Sequence, residues 1–211
     1  MRTTLLIGLP KGRLFQGAID LLSRAGIATD GGQGSRKLTF PDAEGRHEFV
    51  ALKPADIPVY VESGAVDAGI VGSDILREQD YDVYEPLDLR IGLCRLVLAA
   101  PDGVDLRERE HLRIATKYPR TATRFFAARN RHTHIVRLEG SVEIAPLLGL
   151  ADAIVDLVET GRTLRENGLK VVEDVAPISA KLIVNRTAMK TRNSAIRSLI
   201  TRLDAVVYAN S

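Results

Sequence analysis

Residues 153–168 read Ala-Ile-Val-Asp-Leu-Val-Glu-Thr-Gly-Arg-Thr-Leu-Arg-Glu-Asn-Gly, and this stretch decides the fold class. The apolar residues Ala153–Val155 predict a buried strand, and a Thr-Gly-Arg-Thr turn leads from it into a helix. Thr163 and Glu166 have the spacing of a capping box, and Asn167–Gly168 would end the helix after about one turn. A strand, a loop and a helix in direct succession are typical of α/β proteins.

The same alternation extends over nearly the whole chain. Strands are predicted at 4–9, 37–40, 47–52, 68–71, 95–100, 112–116, 134–138, 153–157, 170–175 and 180–185. Helices are predicted at 13–25, 55–63, 120–129 and 142–148, from Ser73 onward, and in one long segment that contains the apolar stripe Ile196 to Val207. This order favours two small α/β lobes whose sheets are mainly parallel, with helices on both faces.

The composition excludes several classes of protein. Of 211 residues, 45% are hydrophobic and 27% are charged, which is ordinary for a folded domain and excludes dominant disorder. The net charge of +2 is too small for a nucleic-acid-coating protein. No apolar run reaches the roughly 18 residues of a membrane span, and no signal peptide is recognisable. The single Cys94 excludes an internal disulfide and multi-cysteine metal sites, so we expect a cytoplasmic protein.

Loops that follow strands are where chemistry is expected, because ligands of open α/β sheets bind beyond the carboxyl ends of strands. In the quoted stretch, Asp156 and Glu159 precede a turn rich in hydroxyl and backbone N–H groups. Such a turn suits a phosphate monoester, and the carboxylates could hold ribose hydroxyls or Mg²⁺. A capped turn with solvated acids explains the same residues, and the local pattern leaves the two interpretations open.

Two further loops have the same position after a strand. Lys11 and Arg13 precede the first helix, where their positive charges are unfavourable unless an anion binds or both side chains are solvated. Glu139 and Gly140 precede Ser141, a candidate N-cap, and capping explains this segment without any ligand.

Taken together, these segments resemble the ATP phosphoribosyltransferase family, which opens histidine biosynthesis. The segments that carry the resemblance are, in chain order, Leu9–Leu14, Asp56–Val61, Gly64–Ile70, Ile114–Pro119, Leu138–Pro146, Gly149–Asp156 and Thr160–Leu164. The resemblance implies that ATP condenses with phosphoribosyl pyrophosphate (PRPP) to give phosphoribosyl-ATP and pyrophosphate, with Mg²⁺. It also implies an α/β fold of two lobes, like a type II periplasmic binding protein, with the active site in the cleft between the lobes.

The organisation of the chain follows from the same resemblance. Lobe I would comprise residues 1–94 and 179–211, and lobe II would comprise residues 95–178 with the PRPP loop. The chain is similar to the short form of the family, which lacks a C-terminal regulatory domain. A homodimer is therefore expected, together with a hetero-oligomer that contains a regulatory subunit resembling histidyl-tRNA synthetase.

The resemblance also implies roles for individual residues. The PRPP site would comprise Asp156 beside the ribose and, around the 5′-phosphate, Glu159, Thr160, Gly161, Arg162 and Thr163. The catalytic candidates, which would contact the pyrophosphate and the ATP phosphates, are the cations Lys11, Arg13, Arg36 and Lys53. The ATP site or cleft would include Asp74, Arg95, Glu139, Gly140 and Ser141, and no metal ligands are assigned. Many family members have Arg in place of Lys53, and Lys keeps the charge but lacks the two-pronged guanidinium.

Two other functions are considered. A phosphoribosyltransferase for a free nucleobase would need the same phosphate loop, although the Leu-Pro-Lys-Gly-Arg and Gly-Ser-Val-Glu segments favour ATP. A non-catalytic two-lobe solute-binding protein would need neither the carboxylates nor the Thr-Gly-Arg-Thr turn, and it would ordinarily carry a signal peptide. Analysis of the product separates the three functions.

Overall fold

The computed structural model describes residues 4–29, 39–109 and 111–209, which form two compact units. The strands are β1 (Leu5–Pro10), β2 (Thr39–Pro41), β3 (His47–Leu52), β4 (Ala68–Gly72), β5 (Val83–Asp88), β6 (Cys94–Pro101), β7 (Leu112–Thr116), β8 (Thr133–Arg137), β9 (Ala153–Val158), β10 (Leu169–Ile178) and β11 (Ala180–Asn185). The helices are α1 (Leu14–Arg24), α2 (Ile57–Glu62), α3 (Ser73–Glu78), α4 (Pro119–Ala127), α5 (Ile144–Leu147), α6 (Arg162–Glu166), α7 (Arg186–Thr191) and α8 (Asn193–Tyr208).

The first unit contains the described residues up to Leu76, together with Asp80–Gly92 and the segment from Ser179 onward. Its sheet has the strand order β2-β3-β1-β4-β11-β5, in which β3, β1 and β4 are parallel neighbours. Along β1, the side chains of Leu5, Ile7 and Leu9 pack with α1 and α8 on one face of the sheet. Leu6 packs on the opposite face with α2, so helices cover both faces.

The second unit contains Arg77–Gln79 and Leu93–Ile178. Its sheet has the order β10-β6-β9-β7-β8, in which β9, β7 and β8 are parallel neighbours. Helix α4 packs on one face of this sheet through residues such as Phe126, and α5 and α6 pack on the other through Ala145 and Leu164. Helices therefore cover both faces of this sheet. Its three parallel strands have their carboxyl ends at the same edge.

The α/β class is confirmed, whereas the prediction of mainly parallel sheets is wrong. Across the described residues, four neighbouring strand pairs are parallel and five are antiparallel. Most of the antiparallel pairs involve β5, β6, β10 and β11, and β5 was not predicted. None of the helices in the described ranges has the length and apolar character that crossing a membrane requires.

The connection that leaves the first unit ends at Gly92, whose backbone is left-handed with φ of +61°. A Cβ atom at position 92 would overlap Cδ2 of Leu14, the first residue of α1. Leu14 in turn packs against the core of this unit. Backbone conformation and close packing therefore both require glycine at this position.

Candidate active site

Three loops of the second unit lie at the carboxyl edge of its sheet. Lys117 follows β7, the segment Glu139–Glu143 follows β8, and the segment Glu159–Thr163 follows β9. Because β8, β7 and β9 are adjacent and parallel, their loops leave the sheet at the same edge. The structure thus brings together two of the three loops that the sequence singled out, and it adds Lys117.

Asp156 lies on β9 and is half-buried at this edge. Burial raises the pKa of the Asp156 carboxyl above its ordinary value, and the nearby charge of Glu143 raises it further. The backbone N–H of Leu157, which donates to Asp156 Oδ1 at 2.8 Å, and the charge of Lys117 act in the opposite direction. Asp156, Glu143 and Lys117 are therefore close enough to interact electrostatically.

The loop from Glu159 to Thr163 turns sharply at Gly161, which has φ of +73° and directly precedes α6. The backbone carbonyl of Thr160 accepts a hydrogen bond from the Arg165 guanidinium at 3.1 Å, and Arg162 Nε donates to Glu166 at 2.7 Å. The side chains of Glu159, Thr160, Arg162 and Thr163 are exposed. The loop is thus held by its own helix while its hydroxyl groups face solvent.

The predicted capping arrangements of both loops are wrong. Thr163 lies inside α6, whose N-cap is Gly161, and Glu166 pairs with Arg162 and so does not complete a capping box. Ser141 has a left-handed backbone with φ of +49°, and Glu143 is the N-cap of α5. A positive φ is uncommon for serine and is often found at ligand sites.

In the first unit, the cations that the sequence singled out also lie at a carboxyl edge. Lys11 and Arg13 follow β1, and Lys53 follows the parallel neighbour β3. The backbone N–H of Lys11 donates to the carbonyl of Leu52 at 2.8 Å, which brings Lys11 and Lys53 to adjacent positions, and all three side chains are exposed. No acidic residue lies in the first turn of α1, so Lys11 and Arg13 make the start of this helix cationic.

Of the remaining predicted residues, Asp74 lies at this same edge and Arg95 lies in the second unit. Asp74, in the first turn of α3, follows β4, the other parallel neighbour of β1. Arg95 lies on β6 opposite Val158, but its guanidinium donates to both carboxylate oxygens of Asp174, at 2.7 and 3.0 Å. Arg36 lies outside the described residues.

Lys117 and Glu143 were given no role from the sequence. Both lie inside segments that carried the family resemblance, Ile114–Pro119 and Leu138–Pro146, but neither belongs to a pattern with a recognisable chemistry of its own. The available signal was position: Lys117 comes just after a predicted strand, and Glu143 lies near the start of the predicted helix 142–148. Their relation to Asp156 depends on which strands are neighbours, and the sequence does not reveal this.

The donor groups at this edge fit Mg²⁺ when the ion arrives with a substrate. Within the described residues, no cluster of three or more His, Cys, Asp or Glu side chains could hold a metal ion. Mg²⁺ bound with phosphates commonly takes only one or two protein carboxylates and keeps several water molecules. Asp156 and Glu143 supply two such carboxylates.

Comparisons with known proteins identify the family. The family model HisG, described as ATP phosphoribosyltransferase, matches residues 53–205. An ATP phosphoribosyltransferase of Caldanaerobacter subterraneus subsp. tengcongensis is 48% identical over 202 residues, which cover 95% of this chain and 96% of the relative. Among solved structures, the ATP phosphoribosyl transferase (HisG:HisZ) complex from Thermotoga maritima contains a chain with a TM-score of 0.83 and 32% identity, covering 99% of this chain and 100% of that one.

A more distant structure bears on the fold alone. The substrate-binding protein of an amino acid ABC transporter has a TM-score of 0.57 at 12% identity, covering 98% of this chain and 94% of that one. The expected resemblance to a type II periplasmic binding protein fold is thereby confirmed. Since the family model covers well over half of the chain and near-full-length relatives are almost half identical, the chain belongs to the ATP phosphoribosyltransferase family.

Proposed function

We propose that this chain transfers the phosphoribosyl group of PRPP to N1 of the adenine of ATP, the first step of histidine biosynthesis. A bond forms between N1 and the anomeric carbon of the ribose, and the bond from that carbon to pyrophosphate breaks. Pyrophosphate leaves with the electron pair. The observation that carries the proposal is the half-buried Asp156 beside the Glu159–Thr163 loop, in a chain that belongs to this family.

This reaction needs little acid–base catalysis, but it needs stabilisation of the charges that develop in the transition state. Adenine N1 is a neutral nucleophile, so no strong base is needed to activate it. The barrier comes from positive charge that develops on the ribose and negative charge that develops on pyrophosphate. Positioning and electrostatic stabilisation are therefore expected to supply most of the rate enhancement.

The edge of the second unit is suited to bind PRPP. We assign the 5′-phosphate to the loop Glu159–Thr163, where exposed threonine hydroxyls and backbone N–H groups can donate to phosphate oxygens. Asp156 lies before this loop on the same strand and can accept hydrogen bonds from ribose hydroxyls while stabilising positive charge on the ring. Arg95 lies on β6, the strand next to β9, and its guanidinium is paired with Asp174. We propose that this ion pair lines the substrate site.

The edge of the first unit is suited to bind polyphosphate. Lys11, Arg13 and Lys53 supply cationic groups for the ATP phosphates and for the departing pyrophosphate, and Arg36 is proposed for the same task. Lys53 acts as a point charge, because its ammonium cannot hold two phosphate oxygens as a guanidinium does. Asp74 and the Glu139–Ser141 segment are proposed to contact ATP.

Mg²⁺ is proposed to enter with the pyrophosphate group of PRPP. Asp156 and Glu143 would hold the ion, which when bound supplies positive charge that neutralises the leaving group. Burial raises the pKa of the Asp156 carboxyl and the charge of Glu143 raises it further, so a bound cation would relieve an electrostatic cost at these carboxylates.

The chain is further proposed to form a homodimer and to assemble with a regulatory subunit that resembles histidyl-tRNA synthetase. The support is its similarity to the HisG chain of the Thermotoga maritima complex, which contains HisG and HisZ. A cytoplasmic location is proposed because the sequence has a single cysteine, Cys94, and therefore no internal disulfide.

The activity is tested by incubating the purified chain with ATP, PRPP and Mg²⁺ in the presence of pyrophosphatase, and by following the near-ultraviolet absorbance of phosphoribosyl-ATP. We expect product from the chain alone or after addition of the regulatory subunit. Consumption of free adenine and not of ATP would indicate a nucleobase phosphoribosyltransferase. Ligand binding without turnover, with the regulatory subunit present, would indicate a solute-binding protein.

The PRPP loop gives a first prediction about residues. Replacing both Thr160 and Thr163 with Ala removes two exposed hydroxyl groups, so the KM for PRPP should rise about 100-fold or more, because each lost hydrogen bond to a charged group costs about 1.5–3 kcal/mol. The KM for ATP should change little. The matched control is Thr191→Ala on α7, an exposed threonine whose hydroxyl donates to the Thr187 carbonyl at 2.9 Å. Equal KM values for PRPP in the double variant and the control would remove the loop from the site.

A further inference from the structure

Thr116, the last residue of β7, is a fully buried polar residue at the edge where the PRPP loop lies. Its hydroxyl donates to the carbonyl of Val155 on β9 at 2.6 Å and accepts from the backbone N–H of Tyr118 at 2.8 Å. One hydroxyl therefore uses both its donor and an acceptor position. The hydroxyl therefore joins the loop that follows β7 to strand β9, at the residue directly before Asp156.

The backbone of Thr116 makes a third connection. Its carbonyl accepts from the N–H of Leu138 at 3.0 Å, where the chain leaves β8 for the Glu139–Glu143 segment. Strand β7 lies between β8 and β9, so Thr116 is hydrogen-bonded to the start of the loop after β8, to the interior of strand β9 and to its own loop. Ordinary ladder pairing would not require the hydroxyl, since regular strands are joined by backbone groups alone.

The groups on either side of these connections are charged. Lys117 follows Thr116 directly, Asp156 follows Val155 directly, and Glu143 lies at the end of the loop that begins at Leu138. Lys117 and Glu143 both act electrostatically on Asp156. A displacement of any one loop would change the distances among these three charges, on which the binding of a phosphorylated sugar with its metal ion would depend.

We propose that Thr116 is a positioning residue of the transferase site, and that its buried hydroxyl fixes the loop with Lys117 relative to Asp156 on β9. Lys117 then acts as a substrate-binding cation that the hydroxyl holds in place. This inference rests on the proposed function, because it assigns the three loops to a single substrate site. It adds two residues, Thr116 and Lys117, to those assigned above.

The decisive comparison is between Thr116→Val, which keeps the shape and removes the hydroxyl, and Thr116→Ser, which keeps the hydroxyl. We expect kcat/KM for PRPP to fall about 100-fold in the valine variant, since a displacement of about 1 Å can cost that much. The serine variant should stay within about 3-fold of the wild type. Thr191→Val, which removes an exposed hydroxyl from α7, is the matched control for loss of a threonine hydroxyl.

A merely structural role predicts a different result. The valine variant would then show a lower melting temperature, but its folded fraction would keep the wild-type kcat and KM. That outcome would overturn the inference, as would a serine variant as defective as the valine variant. If the wild type itself does not convert ATP and PRPP, with or without the regulatory subunit, the proposed function fails first.

A second variant covers the case in which Thr116→Val does not fold. Lys117 is exposed, so Lys117→Met should fold normally, as checked by circular dichroism. We expect a rise of about 10-fold in the KM for PRPP, because one charged contact to phosphate is lost. Unchanged kinetics in Lys117→Met would overturn the inference even if Thr116→Val cannot be purified.

Discussion

Two aspartates four residues apart show how differently one residue type can be stabilised within the same region of a sheet. Asp152 precedes β9 and is buried; burial alone would raise its pKa, but hydrogen bonds from the Arg113 side chain and backbone hold it below the ordinary value. Burial raises the pKa of Asp156 and the charge of Glu143 raises it further, while the hydrogen bond from the Leu157 backbone and the charge of Lys117 offset this only in part. When few protein groups offset the cost of burying a carboxylate charge, that carboxylate can still gain from hydrogen bonds to a substrate.

Replacing Asp156 with Asn should therefore separate stability from activity. The amide removes a half-buried charge, so the melting temperature is expected to rise by about 2–4 °C, which corresponds to a gain of about 1 kcal/mol in a chain of this size. The rate of phosphoribosyl transfer should fall about 100-fold, because an electrostatic partner of the ribose is lost. Thermal unfolding and steady-state kinetics of the same preparation test both effects. The matched control is Asp152→Asn, which should lower the melting temperature.

The pH dependence of this contribution has a definite sign. Since the pKa of Asp156 is higher in the folded than in the unfolded chain, the folded chain binds more protons between the two values. The contribution of Asp156 to stability therefore falls as pH rises from the unfolded value of about 3.9 through the raised folded value. Above that window the wild type and Asp156→Asn should differ most in melting temperature, and below it they should converge.

At the level of elements, the positions of the loops between strands and helices could be predicted better than the backbone conformation of those loops. The sequence identified the loop after β9 because Asp156, Glu159 and the threonines follow an apolar run. It could not identify the left-handed backbone of Ser141, because a positive φ at serine is set by surrounding contacts and not by local preference. The same limit applies to Lys117, whose role depends on its strand neighbours.

Strand β5 is the clearest element that sequence patterns missed. It contains Pro86 and lies at the edge of its sheet, next to β11 alone. The pairing shifts register between Leu182 and Val184 of β11, which leaves room for a residue without an N–H. Proline weakens a strand pattern, yet it is tolerated at edges and bulges. Recognising β5 required knowledge of its partner, and the partner lies almost one hundred residues away.

The turn into α6 depends on Gly161. Replacing it with Ala places a side chain on a left-handed backbone at a cost of about 1–2 kcal/mol, and the new Cβ would lie 3.1 Å from the Arg165 guanidinium that holds the Thr160 carbonyl. We expect the KM for PRPP to rise about 10-fold while that for ATP stays nearly constant. The matched control is Gly103→Ala, also left-handed, at a turn where the Cβ meets no atom within 4 Å. Equal PRPP kinetics in the two variants would contradict the assigned role of the turn.

At the scale of the whole molecule, the two units differ in how the chain builds them. The sheet of the second unit is formed by β6 to β10, which are consecutive in sequence. The first unit needs β11, which the chain supplies only after completing the second unit, and β11 lies between β4 and β5. The stability of the first unit therefore depends on contacts between distant parts of the sequence, and these contacts form slowly in folding.

This difference predicts the behaviour of fragments. Residues 93–178 retain all five strands of their sheet and should unfold cooperatively on heating, although the fragment lacks Glu78, whose carboxylate accepts from the N–H groups of Arg120 and Thr121 at the start of α4. Loss of that cap should cost about 1 kcal/mol. Residues 1–92 lack β11 and α8 and should remain unfolded. Circular dichroism with thermal scans distinguishes these results, and a cooperative transition in 1–92 would contradict the assigned role of β11.

The close approach of Gly92 and Leu14 also restricts how the sequence can diverge. Any side chain at position 92 collides with Leu14, and a smaller residue at position 14 leaves a gap beside the core. Each single change thus has a cost, and a smaller residue at position 14 would relieve the overlap at position 92 without removing the cost of the left-handed backbone. Changes at positions 92 and 14 are therefore coupled, and a substitution at either one alone is expected to be disfavoured as the sequence diverges.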